Sequence, residues 1–176
     1  MLKGPIPPHI DPRKLADRAI TLEGEWPLAQ FSRLCEQLVS DASSVHARFE
    51  FGRDEQKLIV MRGNLEVEVQ MVCQRCLEPA LLPVHSEFIY AVLKEGGSAD
   101  GLPKGYDALE LGEEPLDLLE LVEDELLLAL PIVPAHDPEE CQHPAGFAAA
   151  PEPSVEEVPR SNPFDVLAQL KRDPNV

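Results

Sequence analysis

The short arrangements that announce common chemistries are missing from this 176-residue chain. It has no phosphate-binding loop, no Gly-x-Ser-x-Gly elbow and no His-Glu-x-x-His pair, so nucleotide binding, serine hydrolysis and zinc proteolysis find no anchor. Carboxylates are plentiful, but they cluster by composition and form no recognisable acid-base pair; the sequence gives no reason to expect an enzyme. Nor does any apolar run approach membrane-spanning length, and prolines interrupt the apolar residues of Met1-Leu2-Lys3-Gly4-Pro5-Ile6-Pro7-Pro8. A cytoplasmic location is therefore expected. Cysteine is sparse as well: four residues at irregular spacing make a poor disulfide framework and suit metal, redox or packing roles better.

Cations are the other scarcity. Fifteen Lys and Arg face 32 Asp and Glu, a formal net charge of −17. Residues 95–159 account for nearly all of it, with 17 acidic side chains and one basic, whereas residues 1–94 are close to neutral and residues 160–176 are slightly basic. Such a segment repels phosphate and attracts cationic partners, which argues against direct, non-specific nucleic-acid binding by this region.

The residues that are present read as one α+β domain over 1–141, an antiparallel β-meander or partly closed barrel with flanking helices. The stretch through Pro12 reads as extended, Ala19 to Gly24 as a short strand, and the segment after Pro27 as a helix with Phe31, Leu34, Cys35 and Leu38 on one face. Cys35 is then a small buried hydrophobe. Strict alternation in Val45-His46-Ala47-Arg48-Phe49-Glu50-Phe51 marks a strand with one wet face. A polar turn over 52–56 leads to a second apolar run, Lys57 to Met61. Gly63 and Asn64 mark a bend or bulge, and Leu65 to Cys73 alternates again. Ala80 to Leu93 is a further strand, 95–105 a Gly-rich loop, and Tyr106 to Leu111 a short strand.

Pro115 and Pro131 bracket a helix over 116–130. Its wheel sets Leu118, Leu119, Val122, Leu126, Ala129 and Leu130 on one face, with Asp117, Glu120 and Asp124 opposite and Leu121 and Leu128 at the edge of the acidic stripe. Like charges at this spacing cost a few tenths of a kcal/mol each. Glu123, Asp124 and Glu125 also approach the unfavourable end of the helix dipole, so local stability does not explain them. The stripe is either a solvated face or a docking face for a basic partner. Beyond it, 142–161 reads as a flexible acidic linker rich in Ala, Pro and Glu, and 162–176 as a short amphipathic helix. Asn162 and Pro163 open that helix and Phe164, Leu167 and Leu170 line it, to dock on its own domain or on a partner.

Two thiols in Cys73-Gln74-Arg75-Cys76 fall at a hairpin tip and form half of a zinc knuckle, because such a turn aims both sulfurs at one ion about 2.3 Å away. His136 and Cys141 complete a Cys3His set if the acidic helix returns its C-terminal end to the hairpin, with His143 in reserve. Plain packing of the cysteines is the alternative. A thiol redox pair is a third reading, disfavoured because Pro79 and the following strand leave no helix N-terminus to activate a thiol.

Taken together, Cys73-Gln74-Arg75-Cys76-Leu77-Glu78-Pro79, Val122-Glu123-Asp124-Glu125-Leu126, Leu130 through Asp137, Cys141 and the terminal Asn162-Pro163-Phe164-Asp165-Val166-Leu167 resemble the YceD family of large ribosomal RNA subunit accumulation proteins. The resemblance implies a non-enzymatic role in 23S rRNA accumulation or processing and in large-subunit assembly. The net −16 of residues 95–159 suits a basic ribosomal protein or assembly factor as partner, and the family's gene context makes ribosomal protein L32 a candidate. The acidic stripe (Asp117, Glu120, Leu121, Asp124, Leu128) would carry that contact. Direct RNA contact, if made, is expected on the sheet side at Arg48, Arg53, Lys57, Arg62 and Arg75. An rRNA-processing, nuclease-like enzyme and a zinc or thiol redox module are the alternatives.

Overall fold

The computed structural model describes residues 2–3 and 5–141. Contacts divide the chain into two units, Met1–Gln142 and His143–Val176, and the described residues belong to the first. The linker expected at 142–161, the helix expected at 162–176 and His143 lie outside the described residues.

In chain order the elements are β1 (Leu2–Lys3), β2 (His9–Ile10), α1 (Pro12–Ala16), β3 (Thr21–Pro27), a 3-10 turn (Leu28–Gln30), α2 (Ser32–Cys35), β4 (Ser44–Arg53), β5 (Ile59–Val72), β6 (Pro79–Lys94), β7 (Asp107–Leu111), β8 (Leu116–Asp117) and α3 (Leu118–Ala129). The main sheet runs β1-β3-β4-β5-β6-β7, and β2 pairs with β8 in a separate two-stranded ladder. Strands β3 to β6 form the antiparallel meander expected of consecutive alternating runs. The sheet is open rather than closed into a barrel, and its edges β1 and β7 are parallel to their neighbours.

Period-two burial builds the inner face. Val45, Ala47, Phe49 and Phe51 are all buried along β4 and lie beside Leu65, Gly63 and Met61 of β5 in register. Gly63 continues the strand without a bulge, paired with Phe49 on one side and Phe88 on the other. Its purpose is steric, since a Cβ there would sit 2.1 Å from Cζ of Phe88, whose ring occupies that space. The bend expected at Gly63 and Asn64 is thus an aromatic ring laid over a glycine. The β4–β5 hairpin closes on Asp54, whose Oδ1 accepts the N–H groups of Gln56 and Leu58 at 2.9 Å each.

Helix α3 covers the inner face with Leu118, Val122 and Leu126, all fully buried. Its start is later than the proline bracket indicates, because Leu116 and Asp117 pair with Ile10 and His9 first. Asp117 then caps the helix by accepting the Glu120 N–H at 3.1 Å. Two further differences concern short helices. The stretch through Pro12 is not wholly extended: Asp11 caps α1 and Pro12 occupies its first turn. Arg13 of that helix donates to the carbonyls of Leu111 and Gly112 at 2.6 and 2.9 Å, tying α1 to the end of β7. The helix after Pro27 shrinks to a 3-10 turn and four residues of α2, which bury Phe31 and Leu34 and leave Cys35 half-buried with its thiol donating to the Leu28 carbonyl at 3.3 Å.

Candidate metal centre and the acidic helix beside it

The β5–β6 ladder ends at the pair Val72 and Pro79, so residues 73–78 form a hairpin tip. Within it the Leu77 N–H returns to the Cys73 carbonyl and the Cys73 N–H to the Glu78 carbonyl, both at 2.9 Å, with Leu77 in the left-handed region at φ 64°. This tight loop turns both thiols inward. Helix α3 ends at Ala129, just before Pro131, and the strap that follows runs back over the tip, where the Pro134 carbonyl accepts the Gln74 N–H at 2.9 Å and the His136 carbonyl accepts from the Arg75 guanidinium. A turn on Asp137, whose carbonyl accepts the N–H groups of Glu140 and Cys141 at 3.0 and 3.1 Å, brings Cys141 under the same loop.

The ligand atoms of Cys73, Cys76, His136 and Cys141 consequently lie within 4.8 Å of one another. The three cysteines are buried and none forms a disulfide. Cys73 Sγ is 3.9 Å from Cys141 Sγ, and Cys76 Sγ is 3.4 Å from His136 Nδ1. Tetrahedral coordination with sulfur at about 2.3 Å and nitrogen at about 2.0 Å places two sulfurs about 3.8 Å apart and a sulfur and nitrogen about 3.5 Å apart. A disulfide would need about 2.05 Å. The other imidazole nitrogen, Nε2, is 3.0 Å from the Pro79 carbonyl, which holds its proton there and leaves Nδ1 as the lone-pair donor.

Electrostatics favour a thiolate at one corner. Backbone N–H groups of Cys76, Arg75 and His136 point at Cys73 and lower its thiol to about 5, against the opposing effect of burial. Burial and the two neighbouring thiols push Cys141 the other way, to about 11. A loop whose amides converge on sulfur, with an oriented imidazole opposite, can hold a divalent cation that prefers sulfur and nitrogen; four protein ligands leave no open position for catalysis.

The carboxylates of α3 fall into two groups. Glu123, 8% exposed, is turned inward: Oε1 accepts the N–H groups of Arg33 and Leu34 at 2.7 and 3.2 Å, and Oε2 accepts from Arg33 Nε at 2.7 Å. It therefore caps α2 from across the fold. Asp124 takes the Arg33 Nη1 donor at 2.7 Å. Glu125 accepts from Ser86 Oγ at 3.0 Å and from the Tyr90 hydroxyl. These tertiary partners account for three acidic residues that local helix energetics disfavours, and nothing near them in sequence points to Arg33, Ser86 or Tyr90.

Of the stripe expected to meet a partner, Asp117 is engaged as a helix cap and lies 3.5 Å from His9 Nε2, and Leu121 is half-buried. Glu120, Asp124 and Leu128 are exposed, Leu128 to 82%. The five candidate RNA contacts are not gathered into one patch. Arg53 and Lys57 sit at the β4–β5 turn and Arg75 at the β5–β6 tip, at opposite ends of a 14-residue strand, on the order of 40 Å apart. Arg53 pairs with Asp17 at 2.7 Å and Arg48 with Glu50 at 2.6 Å. Arg62 lies across the sheet from Glu50, with its guanidinium 3.5 Å from the Tyr106 hydroxyl.

An open α+β sheet, a Cys3His knuckle at one hairpin tip and an acidic helix tethered to that knuckle define the protein structurally. Residues 61–171 match the family described as large ribosomal RNA subunit accumulation protein YceD. The Haemophilus influenzae protein called large ribosomal RNA subunit accumulation protein YceD is 39% identical over 98% of this chain and 99% of its own. The chain belongs to the YceD family. No solved structure matches it.

Proposed function

We propose that this protein is a non-enzymatic, cytoplasmic factor for ribosome biogenesis, which supports 23S rRNA accumulation and large-subunit assembly by holding a basic ribosomal protein or assembly factor on its acidic surface. The observation that carries this reading is the outer ridge of α3, where Glu120 and Asp124 are exposed and lead into Leu128. The ridge belongs to a stretch of sequence, residues 95–159, that carries net −16. Such a field attracts a cationic protein and opposes the phosphates of RNA. Scattered and ion-paired arginines on the sheet favour a protein partner over direct RNA contact.

The Cys3His set takes Zn2+ as a structural ion, held by Cys73, Cys76, His136 and Cys141. Bound there, the ion would supply cross-linking, fixing the strap to the hairpin tip, and no redox chemistry. The functional test is affinity capture from cells with RNase present, comparing the native chain with Glu120→Lys. Asp117 and Asp124 are poorer choices because their carboxylates cap α3 and bind Arg33. Basic large-subunit proteins should be retained after RNase and diminished by Glu120→Lys; their loss on RNase treatment alone would refute the protein-partner reading.

A further inference from the structure

Downstream of the acidic ridge the chain displays apolar side chains where water would normally force them to fold inward. Leu128 is 82% exposed, Ile132 100% and Val133 65%, within six residues of chain. They are held out from both sides. Upstream, the Leu130 N–H closes the last turn of α3 on the Leu126 carbonyl at 3.1 Å. Downstream, Pro134 is buried and bonded to Gln74, and His136 is bonded to Pro79 and Arg75. Beside this strap lies an open groove of about 490 Å³ whose walls are mostly apolar, among them Met71, Val72, Leu127 and Ile132, with Gln37 and Gln74 as its polar members. A pinned aliphatic finger beside a groove is a surface prepared for contact, since loose chain would bury these side chains against their own fold.

We infer that Leu128, Ile132, Val133 and the adjoining groove form the apolar half of a docking surface for a cationic protein segment that carries aliphatic side chains on one face. The occupant follows from charge and order along the ridge. Glu120 and Asp124 precede Leu128 at four-residue spacing on α3, so a bound segment would meet carboxylates first and then the finger. Cations on the segment answer the carboxylates, and its aliphatic residues fill the groove. The inference rests on the acidic-surface reading above and adds what that reading lacks, a source of affinity that survives salt. Nucleic acid offers no aliphatic face for the groove.

The test uses the full chain and a defined probe, the proteins of the large ribosomal subunit stripped of RNA. Retained basic proteins are identified on the native chain and then titrated against variants at about 0.3 M salt, where exposed charge is screened. Ile132→Asp/Val133→Asp is expected to weaken binding about tenfold or more, as loss of an anchoring contact does, and Ile132→Ala/Val133→Ala to weaken it less. Circular dichroism and bound zinc should match the native chain in both. Undiminished binding by both variants overturns the apolar surface while leaving the acidic reading intact. Undiminished binding by Glu120→Lys at low salt sinks the acidic reading instead. Retention of protein-free 23S rRNA, offered in a parallel arm, with no protein retained overturns both, as does retention of nothing.

Discussion

Replacing Glu123 separates the acidic residues that hold the fold together from those that face outward. Its carboxylate is nearly enclosed and accepts two backbone N–H groups at the start of α2, besides the Arg33 side chain. Removing a helix cap costs about 1 kcal/mol, and stranding the buried Leu34 N–H adds about 1–3 kcal/mol. Arg33 is half exposed, so its ion pair with Glu123 is partly screened and adds at most about 1 kcal/mol. Glu123→Ala should therefore lower stability by about 3 kcal/mol. Glu123→Gln keeps an acceptor oxygen for the two N–H groups and should cost about 1–2 kcal/mol, mostly the lost charge assistance. Urea denaturation of the native chain and both variants, followed by circular dichroism, reads these as shifts in midpoint at constant slope. Glu120→Lys is the control and should stay within about 0.5 kcal/mol of native. If Glu123→Ala falls in that same range, the cross-fold cap does not exist and the acids of α3 are solvated alike.

Three further outcomes follow from the packing around Gly63, Tyr90 and the cysteines. Gly63→Ala places a methyl where the Phe88 ring lies, 2.1 Å away, and should destabilise by about 1–3 kcal/mol; pairing it with Phe88→Leu should recover part of the loss in a thermal melt. Tyr90 is raised above its ordinary value by burial first and then by its bond to Glu125. A raised folded value means the stabilisation is complete below about pH 10, the unfolded value, and fades as pH climbs beyond it; Tyr90→Phe should flatten that alkaline limb in pH-dependent urea titrations. Zinc analysis should return one ion per chain, fall sharply for Cys76→Ser and His136→Ala, and accompany a lower melting temperature after chelation. A Cys76→Ser chain that melts like the native one in chelator and in zinc alike would leave the cysteines with packing alone.

The parts of the fold that sequence discloses are those governed by local periodicity. Strands β4 to β6 alternate so regularly that their burial pattern can be read residue by residue, and the prolines at 115 and 131 bracket α3 to within a few residues. The Cys3His cluster is legible for a different reason: thiols are so few that Cys73 and Cys76 leave little choice beyond Cys141 and His136. What escaped has non-local causes. Gly63 reads as a bend until Phe88, 25 positions later, is laid across it. Glu123, Asp124 and Glu125 violate the preference of a helix C-terminus for cations, and their justification lies on α2 and β6. Helix α1 is a plainer omission, since Asp11 followed by Pro12 is itself a capping signal, short enough to be masked by the prolines before it.

The knuckle and the acidic helix are mechanically one device. Ten residues separate Leu130 from Cys141, and among them lie the exposed Ile132 and Val133, the buried Pro134 and the oriented His136. Because the strap is bonded to the hairpin tip through Gln74, Arg75 and Pro79, displacement of the tip is displacement of the apolar finger at the end of α3. An ion bridging Cys73 and Cys76 on the tip to His136 and Cys141 on the strap would lock that relation, lowering the ordering cost that any partner meets on binding. Chelation should on this ground weaken partner affinity even where Glu120 and Asp124 are untouched, and it should do so less in Ile132→Ala/Val133→Ala, where the finger no longer contributes. Equal losses in both chains would place the effect of the ion elsewhere in the fold.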